Sequence, residues 1–116
     1  MEATQVTLRN VQPSPSLDRF IRQSCDALGR FHPHILHCRV TLEQEAPGPG
    51  TAHPFSVTLV ATIPGAELVV HHSHPTDAHV ALRDAFEAMR RRLQDAAALA
   101  RHEVKAHSQP VPEGAP

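Results

Sequence analysis

The sequence contains no tryptophan and no tyrosine, and its aromatic residues amount to four phenylalanines. Proteins that hold single-stranded RNA commonly stack the bases on aromatic side chains, so this scarcity argues against a stacking platform. The core must be built from leucine, valine, isoleucine and alanine instead. Apolar residues make up 41% and charged residues 20% of the 116 residues, a composition typical of one globular domain.

Long apolar runs and targeting signals are also missing. No stretch approaches the ~18 apolar residues of a membrane span. The N-terminus lacks the basic and apolar regions of a signal peptide. We therefore expect a soluble cytoplasmic protein with no membrane partner. The two cysteines, Cys25 and Cys38, are too few for a disulfide framework and form no CxxC pair, so we expect buried free thiols.

Net positive charge is absent, because 11 lysines and arginines face 12 acidic residues and give −1. Nucleic-acid affinity depends largely on neutralising phosphate, so this balance is unfavourable for an RNA-binding protein. Ten histidines would add positive charge below about pH 6.5. Nucleophile–base pairs, phosphate-binding loops and paired carboxylates are also missing, and we expect neither an enzyme nor a small-molecule substrate or cofactor.

Hydrophobic periodicity predicts six secondary-structure elements in the order β-α-β-β-β-α. Four alternating strands and two one-sided helices favour a two-layer α+β sandwich, with a four-stranded sheet and both helices on one face. The expected domain covers 1–107, and a disordered tail covers 108–116. The predicted elements are a strand around Val6 and Leu8, a helix from Pro15 to about Gly29, strands at 37–43, 55–63 and 67–71, and a helix after Asp77.

One segment, VHHSHPTDAHV, concentrates four histidines, namely His71, His72, His74 and His79. On a strand His72 and His74 would point the same way, and His79 could approach them from the first turn of the next helix. A zinc site usually needs further cysteine or carboxylate ligands, which this spacing does not supply. We therefore predict a strand end followed by a helix capped by Thr76 or Asp77, with no metal. A metal site of His72, His74 and His79 is the alternative.

The second helix carries a run of arginines. Arg83 and Arg90 are seven residues apart and share one side of the helix. Arg91 faces away from the apolar stripe, and Arg92 lies towards its opposite edge. Interleaved acidic residues neutralise part of this charge. The cluster is therefore either an anion-binding face or a plain solvated face.

Several segments follow the order of a known family. The opening VTLRNVQPSPSLDRFI resembles its first strand, turn and helix start, and LGRFHPHILHCRVTLE resembles the passage from that helix into the second strand. IPGAELVV is similar to its hairpin, TDAHVALRDAFEAMRRRL to its second helix and RHEVKAH to its domain end. Over roughly Val6 to His107 the chain resembles the ribosome hibernation promoting factors and ribosome-associated inhibitors, also called the sigma-54 modulation protein family.

This resemblance implies a fold akin to double-stranded-RNA-binding domains and no catalytic activity. It implies binding to ribosomal RNA of the small subunit, in the channel used by tRNA and mRNA, and silencing of translation in stressed cells. The family's Asp-Met-Tyr at the start of the second helix is Asp77-Ala78-His79 here. The candidate phosphate contacts are Arg22, Arg30, Arg39, Arg83, Arg90, Arg91, Arg92, Arg101 and Lys105.

The sequence is also compatible with two other functions. A domain of the same fold could have lost ribosome binding and act as a protein-interaction module, with self-association into a homo-oligomer through its sheet face or edge. A weaker alternative is a metal or pH sensor based on the histidines. The short tail leads us to expect no C-terminal dimerising or additional nucleic-acid-binding domain.

Overall fold

The computed structural model describes residues 3–45 and 53–108, and describes side chains over 4–45 and 53–101. The predicted order of elements is confirmed. The strands and helices are β1 (Ala3–Arg9), α1 (Pro15–Phe31), β2 (His37–Gln44), β3 (Phe55–Ile63), β4 (Ala66–His74) and α2 (Ala78–Ser108).

Several element boundaries differ from those predicted, most of them by one or two residues. β4 continues to His74, three residues beyond the expected end at His71, because His72 and His74 pair with β3 opposite Val57 and Phe55. α2 continues to Ser108, one residue into the predicted tail. The rest of that tail lies outside the described residues, as does most of the loop predicted between β2 and β3.

The four strands form one mixed sheet in the order β1-β2-β3-β4. β1 runs parallel to β2, with Val6 opposite Val40. β2, β3 and β4 pair antiparallel. A parallel pair needs a crossover connection, and α1 supplies it. The sheet and its two helices confirm the α+β class.

Local sequence signals set the start of both helices. Ser14 has extended backbone angles and its hydroxyl accepts a hydrogen bond from the Leu17 N–H at 3.1 Å, with Pro15 at the first helical position. Before α2, Oδ1 of Asp77 accepts hydrogen bonds from the N–H groups of His79 and Val80 at 2.9 and 3.2 Å. Asp77, rather than Thr76, is therefore the helix cap.

The core lies between the helices and one face of the sheet. Side chains of β2 alternate between exposed and buried, so that Cys38, Val40 and Leu42 face the helices. Among the described side chains the buried set contains no polar or charged residue. The largest fully buried side chains are Ile21, Leu42, Leu59, Leu82, Met89 and Leu93.

None of the helices in the described chain is long and apolar enough to cross a membrane.

Candidate nucleic-acid interface

Positive charge is concentrated on the helices. The helical layer, defined as residues 15–31 of α1 and 78–101 of α2, carries eight arginines against five acidic residues and has a formal charge of +3. The chain as a whole has a formal charge of −1, so the remaining residues together carry −4. The protein therefore has a basic side although its net charge is negative. Such an asymmetric charge distribution orients a protein towards anionic partners.

A groove between α1 and α2 contains two of the candidate arginines. Arg83 and Arg90 both line it, as their seven-residue spacing predicts. The guanidinium of Arg90 lies 4.9 Å from the centre of the Phe31 ring, a cation–π distance. Phe31 is 39% exposed and lines this groove, where Arg90 covers the face of its ring.

The neighbours Arg91 and Arg92 have different surroundings. Nη1 of Arg92 donates a hydrogen bond to the backbone carbonyl of Val69 in β4 at 3.1 Å. β4 is an edge strand, so this contact satisfies a carbonyl that no neighbouring strand can reach. Arg91 is exposed and forms no hydrogen bond or ion pair with any residue in the described part of the chain. Its charge is therefore available to an external ligand.

The outer side of α1 carries further arginines. Arg22 is paired through Nε with the carboxylate of Asp18 at 3.1 Å, one helical turn earlier, whereas Arg30 is exposed near the end of the helix. Arg19, which was not among the predicted contacts, is also exposed. It lies eleven residues before Arg30, about three helical turns, and therefore shares its side of α1. The eleven-residue spacing from Arg30 is the sequence signal that could have identified Arg19 as a candidate contact.

Arg39 does not lie with the other candidates. It projects from β2 on the sheet face opposite the helices, which we call the open sheet face, and its Nη2 lies 3.4 Å from the carboxylate of Glu67. Arg101 is exposed on α2. The side chain of Lys105 is outside the described set. The structure thus groups seven of the predicted contacts on the helical layer and separates Arg39 from them.

The histidines at the β4–α2 junction have structural contacts. Nδ1 of His74 accepts hydrogen bonds from the N–H groups of Thr76 and Asp77 at 3.2 and 2.9 Å. The His79 ring lies 5.2 Å from the Phe20 ring. In the described parts of the chain no three His, Cys, Asp or Glu side chains are placed to hold a metal ion. The His72, His74 and His79 site is therefore not assembled.

His32, which caps the C-terminal end of α1, has a perturbed pKa. Burial lowers the pKa of His32 below its ordinary value, and the nearby His34 lowers it further. Its Nδ1 is buried and has no hydrogen-bond partner among the described residues. Burial and the nearby His34 both favour the neutral form of the His32 ring in the folded protein.

A mixed four-stranded sheet, helices packed on one of its faces and arginines projecting from those helices define an α+β domain with a basic helical side. The family model for sigma 54 modulation protein / S30EA ribosomal protein matches residues 4–98. The chain belongs to that family. A search of curated proteins gives no match.

Solved structures share the fold of this chain. A ribosomal subunit interface protein from Coxiella burnetii superposes with a TM-score of 0.67 at 15% identity, covering 83% of this chain and 98% of that one. The N-terminal domain of Protein Y from Thermus thermophilus gives 0.66 at 14% identity, covering 78% of this chain and 93% of that one. At these identities the likeness establishes the fold.

Proposed function

We propose that this protein binds the small ribosomal subunit through its helical layer and silences translation under stress. The ligand is the phosphate backbone of ribosomal RNA in the channel used by tRNA and mRNA. The protein acts in the cytoplasm by occupying that channel, without catalysis. Membership of the family and the fold shared with a ribosomal subunit interface protein support this function.

The observation that carries the proposal is the charge of the helical layer, +3 in a chain of −1. Long-range attraction acts on the side of the protein that faces the ligand, so a basic side is sufficient for docking even when the total charge is negative. Arg91 and Arg30 are exposed and form no ion pair among the described residues. They need not give up an internal partner to contact phosphate.

The chemistry of these side chains favours recognition of RNA shape over base sequence. Arginine binds phosphate oxygens in a bidentate manner, and such contacts position a protein without reading sequence. The helical layer has few aromatic rings for base stacking, and Arg90 already covers the Phe31 ring. Double-stranded RNA is recognised mainly by shape and backbone. We therefore expect docking on structured ribosomal RNA.

Co-sedimentation with purified ribosomes tests the proposal. Binding should be clear at about 50 mM salt and much weaker at about 200 mM, because each phosphate contact contributes roughly 0.7–0.9 to the salt slope. A triple variant, Arg90/Arg91/Arg92→Ala, should lose most of the bound fraction and show a flatter salt dependence. Arg39→Ala is the control, because it removes a positive charge from the open sheet face.

Two results would contradict ribosome binding through the helices. One is the absence of co-sedimentation at about 50 mM salt and about pH 6, where protonated histidines add positive charge. The other is an equal loss of binding per charge removed in Arg39→Ala and in the triple variant. Separated subunits in the same assay then test the preference for the small one.

A second candidate function is self-association through the open sheet face. Val69 is 48% exposed there and pairs across the strands with Val60, which leaves an apolar pair on a face that no element of residues 3–45 and 53–108 covers. Sedimentation velocity of the free protein tests this idea. A monomer at all concentrations used would exclude it, and a dimer weakened by Val69→Lys would support it.

A further inference from the structure

The two cysteines come together in the folded protein although thirteen positions separate them in sequence. Cys25 lies on the buried side of α1 and Cys38 on the helix-facing side of β2. Both side chains are 0% exposed, and their sulfur atoms are 3.4 Å apart. This distance is a van der Waals and hydrogen-bond contact between free thiols. Neither thiol takes part in the proposed contacts with RNA.

We propose that Cys25 and Cys38 form an oxidation site, at which hydrogen peroxide converts the two thiols into an intramolecular disulfide that fastens α1 to β2. To form the bond, the sulfurs must approach from 3.4 Å to about 2.0 Å. One cysteine projects from the helical layer towards the other on the sheet, so a modest approach of α1 to the sheet closes this gap.

The two thiols have different reactivity. The hydrogen bond from the Cys25 S–H lowers the pKa of Cys38 below its ordinary value, in spite of burial. The same hydrogen bond, together with burial, raises the pKa of Cys25. Cys38 is therefore the sulfur that ionises first, and thiolate is the nucleophilic form.

The reaction proceeds in two steps. The Cys38 thiolate attacks one oxygen of hydrogen peroxide, which breaks the O–O bond and gives a sulfenic acid and hydroxide, and hydroxide takes up a proton to become water. The Cys25 sulfur then attacks the sulfenic sulfur, loses its proton and displaces a second water. Overall, two thiols are oxidised by two electrons, and one peroxide is reduced to two waters.

Burial of both sulfurs makes access the slow step. Peroxide reaches Cys38 when α1 lifts from the sheet, so we expect oxidation to be slow in native buffer and faster in urea below the unfolding transition. The disulfide closes a loop of about fourteen residues, which by chain entropy should raise Tm by roughly 10 °C. Dithiothreitol should reverse the change.

The experiment treats the reduced, full-length protein with hydrogen peroxide and measures intact mass, thiols alkylated by N-ethylmaleimide in denaturant, and Tm. The expected result is a monomer lighter by two hydrogen atoms, with no alkylated thiol and a higher Tm. Cys25→Ser and Cys38→Ser should show neither the two-hydrogen loss nor the rise in Tm.

Three results would overturn the proposal. They are two thiols that remain alkylatable after treatment, oxygen atoms that a peptide map locates on Cys25 or Cys38, or a disulfide that joins two chains. If the serine variants do not fold, the wild-type mass, alkylation and peptide map decide alone. The proposal is independent of ribosome binding, because none of these measurements involves RNA.

Discussion

The adjacent residues Arg91 and Arg92 allow a sharp test of the interface. Arg91 is exposed with no partner in the described chain, whereas Arg92 donates a 3.1 Å hydrogen bond to the Val69 carbonyl at the β4 edge. Each alanine variant removes the same charge from the same helix. The two variants should nevertheless affect different properties, because one guanidinium is available to ligand and the other stabilises the fold.

The expected magnitudes follow from these contacts. Arg91→Ala should reduce the salt slope of RNA binding by about 0.7–0.9, which makes the affinity change between about 50 and 200 mM salt roughly threefold smaller. The free energy of unfolding should stay within about 0.5 kcal/mol of wild type, as for other exposed sites. Arg92→Ala removes a charge-assisted hydrogen bond and should lower the free energy of unfolding by about 1 kcal/mol.

Two assays separate the effects. Urea unfolding measures stability, and fluorescence titration of a ribosomal RNA fragment over a salt series measures the slope. If Arg91→Ala lowers the free energy of unfolding as much as Arg92→Ala does, the hydrogen bond from Arg92 to the Val69 carbonyl does not stabilise the fold. If Arg92→Ala reduces the salt slope more than Arg91→Ala does, Arg92 rather than Arg91 contacts phosphate. The lack of an internal partner then does not identify the arginine that binds RNA.

Three further changes test the fold itself. Asp77→Ala should lower the free energy of unfolding by about 1 kcal/mol, since two N–H groups lose their acceptor; Asp77→Asn, which keeps the oxygen, should restore most of it in urea titrations. Leu82→Ala should cost about 2–5 kcal/mol by leaving a cavity in the core, whereas an effect under about 1 kcal/mol would mean that the side chain is not enclosed. Stability should fall as the pH drops below about 6.5, because the lowered pKa of His32 makes the unfolded chain bind the extra proton. In thermal melts across this range His32→Gln should be less sensitive to pH than wild type, and an unchanged pH profile would exclude His32 as a source.

Most of the fold could be predicted because its signals are local. Ser14 before Pro15 starts a helix by capping chemistry alone, and the alternation from Phe55 to Ile63 indicates a strand with one buried face. The extension of β4 to His74 was not predictable in this way. It depends on pairing with Phe55 across the hairpin, and the histidines there supply no apolar alternation.

The candidate site could be predicted only in part. Helical spacing correctly placed Arg83 and Arg90 on one side of α2, because that relation is internal to one helix. Strand alternation likewise predicts that Arg39, between Cys38 and Val40, projects from the open sheet face, and the exposure pattern of β2 agrees. The sequence could not show the contact of Arg92 with Val69, because that contact joins elements that lie far apart in sequence.

The parallel pairing of β1 with β2 has a consequence for the order of folding. β3 and β4 meet through a tight hairpin in which Ile63 is opposite Ala66, whereas Val6 reaches its partner Val40 only after α1 has crossed the sheet. Closing a long loop costs entropy before its contacts form, so the three-stranded antiparallel meander should assemble first and β1 should dock last. During synthesis β1 is made before its partner β2 and remains unpaired until β2 has formed. In the folded protein the amides of β1 should be among the first in the sheet to exchange with solvent.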